Sequence, residues 1–393
     1  MKKPKIMVAY GTRPEAIKLA PLIKTLKSDK RFVTCIVSTG QHQEMLNQVN
    51  VMFGIEPDFD LSLMHKKQPL NRIMSRALKG LDKLLERIAP DILVVQGDTT
   101  TAMAAAIAGF NRHVKVVHLE AGLRSGDMSS PFPEEANRRL ITTVASLHLA
   151  PTHSARSNLL ADGVNRKDIV VTGNTVIDAL HEAATWDVGF EDPRIAEVLE
   201  SGQEFIVVTT HRRENLDSME QIGHAISRLA KLYPNYTFIL PVHLNPVIRK
   251  NIAPQVVKNN NVLLSAPLPY DQFTHLLAKA KLIITDSGGV QEEAPALGIP
   301  VILMRNTSER PEAIEAGTVR LVGSDEDVIV GEVSLLLDDD SEYKHMSEAI
   351  NPYGDGRAAY RSVAAIAELT GVGTRVEQFT PQSLHGKSYA DER

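Results

Sequence analysis

The chain has 393 residues, of which 43% are hydrophobic and 23% are charged, and its net charge is −5 at pH 7. These values are typical of globular domains, and the length predicts two domains rather than one hydrophobic core. The negative charge gives no support to nucleic-acid binding, and no apolar run approaches the roughly 20 residues of a membrane span.

The cysteine content and the start of the chain bear on its compartment. The single cysteine, Cys35, excludes an intrachain disulfide and favours a reducing environment. The apolar run that follows the basic start covers only residues 6–10, which is too short for a signal peptide. We therefore expect a cytoplasmic protein that has neither a nucleic acid nor a membrane as its partner.

Short apolar segments alternate with helical patterns along most of the chain, which predicts an α/β fold with parallel sheets. In the first half, strands are predicted at residues 6–10, 33–38, 92–95, 114–119, 147–150 and 169–172. In the second half, strands are predicted at residues 205–210, 236–241, 262–264, 282–285 and 300–304. A turn-rich break then precedes a last helical pattern that runs to Leu369, and the polar residues after it predict a mobile tail.

The first predicted strand runs into Gly11 and a helix start. Thr12 and Glu15 have the spacing of a capping box. Arg13 and Lys18 lie near the first amide groups of this helix, where a phosphate can bind. The alternative interpretation is that both are ordinary surface cations.

Three carboxylates follow strands or a long loop in the first half. Asp98 and Glu120 come at the ends of successive strands, at the sheet edge where parallel α/β proteins bind their ligands. Asp98 alone would more often be a helix N-cap, but two carboxylates at neighbouring strand ends favour a site. Glu134 is either a third acid or base or a first-turn glutamate favoured by the helix dipole.

The segment at residues 282–293 has the pattern of a strand, a glycine turn and a helix. Asp286 or Ser287 is suited to cap the helix, and the two glycines that follow let a bound group approach the backbone. Amide groups at the helix start favour a phosphate or diphosphate, and Glu293 is placed to accept hydrogen bonds from ribose. The alternative is a capped helix whose glycines only make the bend.

Positively charged side chains also occur at strand ends of the second half. His211 and Arg212 follow one strand, and His243 follows the next. Cations are disfavoured at a helix start, so the first two indicate a bound anion; the alternative is a charged helix start without a ligand. Arg310 precedes a further helix and is a candidate to line the site.

Signatures of cofactors and metals are missing from the sequence. It has neither the G-x-G-x-x-G fingerprint of a nicotinamide site nor a P-loop, and its histidines lack a zinc-binding spacing. We therefore expect no cofactor and no metal.

Eight motifs, in the same order, resemble those of the bacterial non-hydrolysing UDP-N-acetylglucosamine 2-epimerases. They lie at residues 11–15, 97–100, 120–124, 133–138, 211–215, 241–246, 282–293 and 309–312. The resemblance implies a homodimer whose subunits have two Rossmann-like domains facing across a cleft, the glycosyltransferase-B architecture. It implies an N-terminal domain at 1–173, a UDP-binding domain at 174–350, a helix at 351–372 that crosses back to the first domain, and a polar tail at 373–393.

The resemblance also implies a reaction and a set of site residues. Members of this family invert carbon 2 of UDP-N-acetylglucosamine (UDP-GlcNAc) to give UDP-N-acetylmannosamine (UDP-ManNAc), which supplies cell-surface polysaccharide. They eliminate UDP to a 2-acetamidoglucal intermediate and add it back. The catalytic residues implied are Asp98, Glu120, Glu134 and His211, and the UDP-sugar ligands are Arg13, Lys18, Phe273 as a stacking partner for uracil, Ser287, Gly288, Gly289, Glu293 and Arg310.

Members of this family further resemble one another in using substrate as an allosteric activator beside the active site. The positions that fall near the matching motifs are Gln41, His42, Gln43, Gln68, Glu134, Arg212 and His243. This chain departs from some relatives at Glu44 and Lys67, where they carry glutamine and arginine.

Three other functions compete with this interpretation. A glycosyltransferase of the same architecture needs only one catalytic base and an acceptor groove, whereas this chain has three carboxylates. A hydrolysing epimerase releases free N-acetylmannosamine, but the segment around Gln41 and His42 favours the non-hydrolysing branch. A non-catalytic UDP-sugar sensor is expected to lack at least one of the carboxylates.

Overall fold

The chain forms two compact units. The computed structural model describes residues 2–40, 43–63, 68–242, 246–308 and 310–381, without the side chains of residues 43–45, 213–214 and 246–247. The first unit is built from Met1–Ala179 and Tyr353–Thr380, and the second from Leu180–Pro352. No helix among the described residues is long and apolar enough to cross a membrane.

The first unit is organised around a parallel sheet whose strands are mostly buried on both faces. Its strands are β1 (Lys5–Tyr10), β2 (Val33–Ser38), β3 (Phe59–Asp60), β4 (Ile92–Gln96), β5 (Lys115–Leu119), β6 (Leu147–Ala150) and β7 (Ile169–Val171). Their order in the sheet is β3-β2-β1-β4-β5-β6-β7. Every residue of β4 is buried, as expected for a strand that is covered by helices on both faces.

Helices pack on this sheet through apolar stripes. They are α1 (Arg13–Ser28), α2 (Gln43–Phe53), α3 (Leu70–Ile88), α4 (Thr100–Asn111), α5 (Glu134–Val144), α6 (His153–Ala161) and α7 (Thr175–Ala183), with a 3-10 turn at Arg166–Asp168. The buried residues of α3 recur every three or four positions, from Ile73 through Ala77 and Leu81 to Leu85, and so form one stripe. The alanine-rich α4 is buried along most of its length and contacts both α3 and α5.

The second unit repeats the architecture of the first. Its strands are β8 (Phe205–Thr209), β9 (Thr237–Pro241), β10 (Val262–Ser265), β11 (Leu282–Thr285), β12 (Val301–Leu303) and β13 (Val319–Leu321), in the order β10-β9-β8-β11-β12-β13. Its helices are α8 (Pro193–Ser201), α9 (Met219–Leu232), α10 (Pro246–Val256), α11 (Tyr270–Lys279), α12 (Val290–Ala296), α13 (Pro311–Glu315), α14 (Glu326–Asp338) and α15 (Asp340–Ser347), with a 3-10 turn at Arg213–Ser218. The second unit has the 3-2-1-4-5-6 strand order of a Rossmann fold, and the first unit has the same order with a seventh strand, β7, added at one edge. The predicted α/β fold class with two Rossmann-like units is confirmed.

The last helix, α16 (Ala358–Leu369), belongs to the first unit. Its first amide groups are capped by Asp178, a residue of α7 that lies far away in the sequence. The Asp178 carboxylate accepts hydrogen bonds from the N–H groups of Ala358, at 3.1 Å, and Ala359, at 2.8 Å. A carboxylate at this position satisfies free amides and complements the helix dipole.

The segment that follows α16 is packed rather than free. Phe379 is buried, and its N–H donates to the carbonyl of Val171 at 2.8 Å. The Gln378 side chain accepts from the N–H of the same valine at 3.0 Å. The prediction of a mobile tail is therefore wrong for the described residues up to 381, because one aromatic residue anchors a segment that has no periodic pattern.

Candidate active site

The strand order places one switch point in each unit. Chain connections leave in opposite directions from neighbouring strands β1 and β4 in the first unit, and from β8 and β11 in the second. Ligands of open α/β sheets bind at the carboxyl ends of such strands. In the first unit these ends lead to Arg13 and Asp98, and the next strand, β5, leads to Glu120.

Glu120 is a buried carboxylate held in a strained backbone conformation. Its φ is +63°, a region that residues other than glycine rarely adopt. Its carboxylate accepts hydrogen bonds from the side chains of Lys18, Gln96 and Asn174, the last at 3.2 Å. Strain of this kind persists only where the surroundings fix it, and it concentrates at functional sites. Lys18, predicted to contact UDP, lies against this carboxylate.

Asp98 is positioned by α5 and does not cap a helix. The N-cap of α4 is Thr99, whose hydroxyl accepts from the N–H of Ala102 at 3.0 Å, so the N-cap interpretation of Asp98 is wrong. The Asp98 carboxylate lies 2.6 Å from the guanidinium of Arg138, and its backbone carbonyl accepts from the Asn137 amide at 2.8 Å. Both the side chain and the backbone of Asp98 are thus held by one helix.

A buried histidine fixes the turn between β4 and Asp98. Gly97 has a φ of +71°, and its carbonyl lies 2.8 Å from Nε2 of His118. Burial lowers the pKa of His118 to about 3, so the imidazole is neutral and carries its proton on Nε2, the only nitrogen that can donate to this carbonyl. A Cβ atom on Gly97 would lie 3.8 Å from Oε2 of Glu120. The ends of β4 and β5 are therefore direct neighbours.

A second buried carboxylate joins the ends of β1 and β4. Glu15 accepts from the N–H groups of Gly11, at 2.8 Å, and Thr12, at 2.7 Å, and from the hydroxyl of Thr99 at 2.7 Å. The predicted capping box is confirmed. Burial raises the pKa of Glu15, and these hydrogen bonds oppose that rise. Glu15 therefore occupies the amides of Gly11 and Thr12 that the sequence offered to a phosphate, and Arg13 is half-buried at the start of α1.

The two consecutive glutamates that open α5 differ in environment. Glu134 is half-buried, whereas Glu135 is fully buried. Glu135 accepts from the N–H of Ser125 and from the side chains of Arg138 and Arg139. Burial alone would raise the pKa of Glu135, but these three partners outweigh it and hold the pKa below its usual value. Of the pair, Glu135 is thus committed to partners within the first unit.

In the second unit, Asp286 organises the end of β8. Its buried carboxylate accepts from the Thr210 hydroxyl at 2.8 Å, from the N–H groups of His211 and Arg212 at 3.0 Å, and from the Asn215 amide at 3.2 Å. Asp286 thus does not cap α12, which begins after Gly289 without a side-chain cap. The Asp286 carboxylate thus binds the backbone amides of His211 and Arg212, and the prediction of a bound anion at these two side chains stays a prediction. Nδ1 of His211 lies 3.4 Å from the same carboxylate.

The glycine turn after β11 leaves open space above it. Gly289 has a φ of −68°, and a Cβ atom built on it meets no atom within 4 Å. Neither backbone strain nor packing against a described residue requires glycine at this position. Ser287 lies in the same turn and donates its N–H to the hydroxyl of Thr285 at 2.9 Å, and Gly288 follows it.

The remaining predicted site residues have varied surroundings. Arg310 donates to the buried carboxylate of Glu292, and Glu293 and Phe273 are half-buried on α12 and α11. Gln68 donates to the carbonyl of Leu63 at 3.2 Å. Gln41, His42 and His243 lie outside the described residues, as does the side chain of Gln43.

Comparison with known proteins identifies the family. Residues 24–367 match the sequence model of the family described as UDP-N-acetylglucosamine 2-epimerase. The chain belongs to this family. It is 47% identical over 388 residues to the UDP-N-acetylglucosamine 2-epimerase of Bacillus subtilis, covering 98% of this chain and all of the relative. It is 46% identical over 372 residues to that of Escherichia coli K12, covering 92% of this chain and 98% of the relative.

A solved structure extends the likeness to three dimensions. The epimerase of Neisseria meningitidis, bound to UDP-GlcNAc, is 41% identical and aligns with a TM-score of 0.82 over 93% of this chain and all of that chain. The prediction of an isomerase of the UDP-GlcNAc 2-epimerase family is confirmed.

Sequence reasoning missed the side chains that contact the carboxylates or fix the backbone and the cation beside them. They are Gln96, His118, Glu135, Asn137, Arg138 and Asn174. For Glu135 a signal existed, because Arg138 and Arg139 follow at the i+3 and i+4 spacing of a helical ion pair. For Asn174 there was none, because it reaches Glu120 across 54 residues of chain.

Proposed function

We propose that this chain is a non-hydrolysing epimerase that interconverts UDP-GlcNAc and UDP-ManNAc in the cytoplasm. In this reaction the C2–H bond breaks, its proton passes to a base of the enzyme, and the C1–O bond breaks to release UDP and form 2-acetamidoglucal. UDP then adds back to C1 while C2 is protonated on its other face. Inversion therefore requires proton-transfer groups on both faces of the sugar.

The observation that carries this proposal is the pair of carboxylates at neighbouring strand ends. Asp98 follows Gly97, which packs beside the Glu120 carboxylate, and each of the two acids lies against a cation. Glu134 is proposed as a third proton-transfer group. A glycosyltransferase has no use for several acids at this place, because displacement at C1 needs only one base.

Binding of UDP is proposed for residues of the second unit. The amide groups of Gly288 and Gly289, the hydroxyl of Ser287 and the imidazole of His211 are proposed to stabilise the diphosphate, whose charge grows as it leaves C1. Glu293 is proposed to accept from ribose hydroxyls and Phe273 to stack on uracil. Arg13 and Arg310 are proposed as further phosphate or sugar contacts, and Lys18 as a steadying cation next to Glu120.

Two further proposals concern assembly and regulation. The resemblance to the family supports a homodimer, which sedimentation analysis of the purified chain tests. It also supports a second UDP-GlcNAc as activator at Gln41, His42, Gln43, Gln68, Arg212 and His243. If so, we expect the rate at which UDP-ManNAc is converted to depend sigmoidally on the concentration of added UDP-GlcNAc.

Proton NMR of UDP-GlcNAc incubated with the protein in D2O tests the activity. We expect UDP-ManNAc to accumulate with deuterium at C2, because the proton abstracted from C2 exchanges with solvent. Free N-acetylmannosamine would instead establish the hydrolysing reaction. An unchanged spectrum would contradict the proposal and favour a glycosyltransferase or a sensor.

Replacing Gly289 by alanine tests the UDP site. A methyl group meets no protein atom there, so the free energy of unfolding should change by less than about 1 kcal/mol. If the diphosphate lies against this backbone, UDP affinity should fall at least roughly tenfold, equivalent to about 1.4 kcal/mol. Gly331→Ala in α14, where a Cβ also meets no atom within 4 Å, is the matched control for titration calorimetry with UDP. If the two variants bind UDP with equal affinity, the glycine turn is not part of the UDP site.

A further inference from the structure

Two consecutive arginines on α5 share one fully buried carboxylate. NH1 of Arg138 lies 3.2 Å from Oε2 of Glu135, and Nε of Arg139 lies 3.0 Å from its Oε1. Glu135 also accepts from the N–H of Ser125 at 3.0 Å, which ties the start of the long loop to the same point. A buried carboxylate with three donors is a rigid anchor, because withdrawing any donor leaves a desolvated charge less well paired.

The two arginines then reach different partners. NH2 of Arg138 lies 2.6 Å from Oδ2 of Asp98. NH1 of Arg139 instead lies 3.6 Å from Oδ1 of Asp162, which follows α6. The side chain of Arg138 is 14% exposed and that of Arg139 is 40% exposed. Of these two cations, Arg138, the less exposed one, bridges Glu135 to the Asp98 carboxylate after β4.

The planar guanidinium of Arg138 transmits this anchoring to Asp98. Its nitrogens have a fixed angular relation, so contact with Glu135 through one and with Asp98 through another sets the direction of the Asp98 carboxylate. Asn137, one residue earlier on the same helix, holds the Asp98 backbone carbonyl at 2.8 Å. The side chain and the main chain of Asp98 are thus both held by residues of α5, and Glu134 is the first residue of this helix.

We propose that Arg138, anchored by Glu135, is a positioning residue that aims the Asp98 carboxylate at the substrate carbon for proton transfer. This inference rests on the proposed function, in which Asp98 exchanges a proton with C2 of the sugar. Arg138 acts through Asp98 and is not itself assigned a contact with substrate. Proton transfer to carbon is sensitive to small displacements of the acid or base. A change in the orientation of the Asp98 carboxylate should therefore lower kcat more than it weakens substrate binding.

Steady-state kinetics of Arg138→Met and Arg139→Met test the proposal, with each variant removing one guanidinium from the same Glu135. We expect Arg138→Met to lower kcat by roughly 100-fold with KM changed less than about threefold. Arg139→Met weakens the anchor but leaves the contact between Arg138 and Asp98 in place, so it should lower kcat by less than about fivefold. Equal losses in the two variants, or a rise of KM at unchanged kcat in Arg138→Met, would overturn the positioning role.

Two further variants separate positioning from folding. Arg138→Lys keeps the positive charge but loses the planar guanidinium that contacts two carboxylates. Its kcat should lie between those of the unmodified enzyme and Arg138→Met. Arg138→Ala should recover activity when guanidinium ion is added at tens of millimolar, whereas Arg139→Ala should not respond. If Arg138→Ala is folded by circular dichroism and shows no recovery, the inference fails.

Deuterium incorporation at C2 distinguishes this failure from failure of the proposed function. If the unmodified enzyme neither epimerises nor exchanges the C2 proton in D2O, the proposed function itself is wrong. If the unmodified enzyme exchanges the proton and Arg138→Met does so at the same rate, only the role of Arg138 is wrong.

Discussion

Asp98→Asn is expected to lower turnover by roughly 10³-fold while UDP still binds. The substitution keeps the size of the side chain and an oxygen that can accept from Arg138, but removes the carboxylate that we propose takes and returns a proton. General acid or base groups typically contribute 10²–10⁴-fold to rate. Asp98 is not among the residues that we propose to bind UDP, so the dissociation constant of UDP should stay within about threefold. Coupled kinetics and titration with UDP measure the two effects separately.

The control for this substitution is Asp82→Asn. Asp82 is a surface carboxylate that also pairs with an arginine, Arg112, at 2.5 Å. Removing that charge should leave kcat unchanged, because exposed ion pairs contribute little even to stability. Full turnover by Asp98→Asn would exclude Asp98 from the mechanism and leave Glu120 and Glu134 as the proton-transfer groups.

Acidification is expected to destabilise the first unit steeply through two buried histidines. His118 on β5 and His148 on β6 face each other in the register of the sheet. Burial lowers the pKa of His118 to about 3 and that of His148 to about 4, from an ordinary value of 6.5. The nearby Arg124 lowers both further, while Glu120 raises the pKa of His118 and Asp168 raises that of His148.

The sign of the effect follows from which state binds the protons. The unfolded chain protonates near pH 6.5, whereas the folded unit resists protonation until about pH 4 at His148 and about pH 3 at His118. Stability from the neutral imidazoles is therefore complete above pH 6.5 and is lost as the pH falls toward 3. The expected slope is about 1.4 kcal/mol per pH unit for each imidazole, and about twice that where both contribute.

Denaturant unfolding between pH 7 and 4.5 measures this slope. His118→Gln retains a side-chain N–H for the Gly97 carbonyl but cannot be protonated, so it should lower the slope by about half. His345→Gln removes an exposed histidine of α15 and should leave the slope unchanged. An unchanged slope in His118→Gln would show that His118 is not responsible for the loss of stability.

Strand positions followed from the sequence because they depend on local composition. The predicted strands at 33–38, 147–150 and 282–285 match β2, β6 and β11, and the other predicted strands lie within one or two residues of the observed ones. The short β3 and β13 escaped prediction, since two or three residues carry no periodicity of their own. The helices α8 and α15 were also missed, because each buries only one side chain and so lacks a clear apolar stripe. The helix α14 was missed although Ile329, Val333 and Leu336 form such a stripe.

The positions of Asp98 and Glu120 were likewise predictable, for a topological reason. Parallel strands end at one edge, so polar residues directly after neighbouring strands meet there in any such sheet. Sequence reasoning could not tell what holds them. Lys18 was assigned to phosphate yet pairs with Glu120, and Asp286 was assigned to a helix cap yet binds the amides of His211 and Arg212.

The sequence by itself thus determines the helices and strands, the parallel arrangement of the strands and the side chains that follow each strand. These features depend on composition and on spacing within a few residues. Only the tertiary structure decides the pairing of charges. Glu134 and Glu135 are neighbours in sequence with the same side chain, but burial makes one an anchor for Arg138 and leaves the other half-buried. The free-energy cost of removing a charge from water depends on the folded surroundings of that charge, and no local sequence pattern specifies these surroundings.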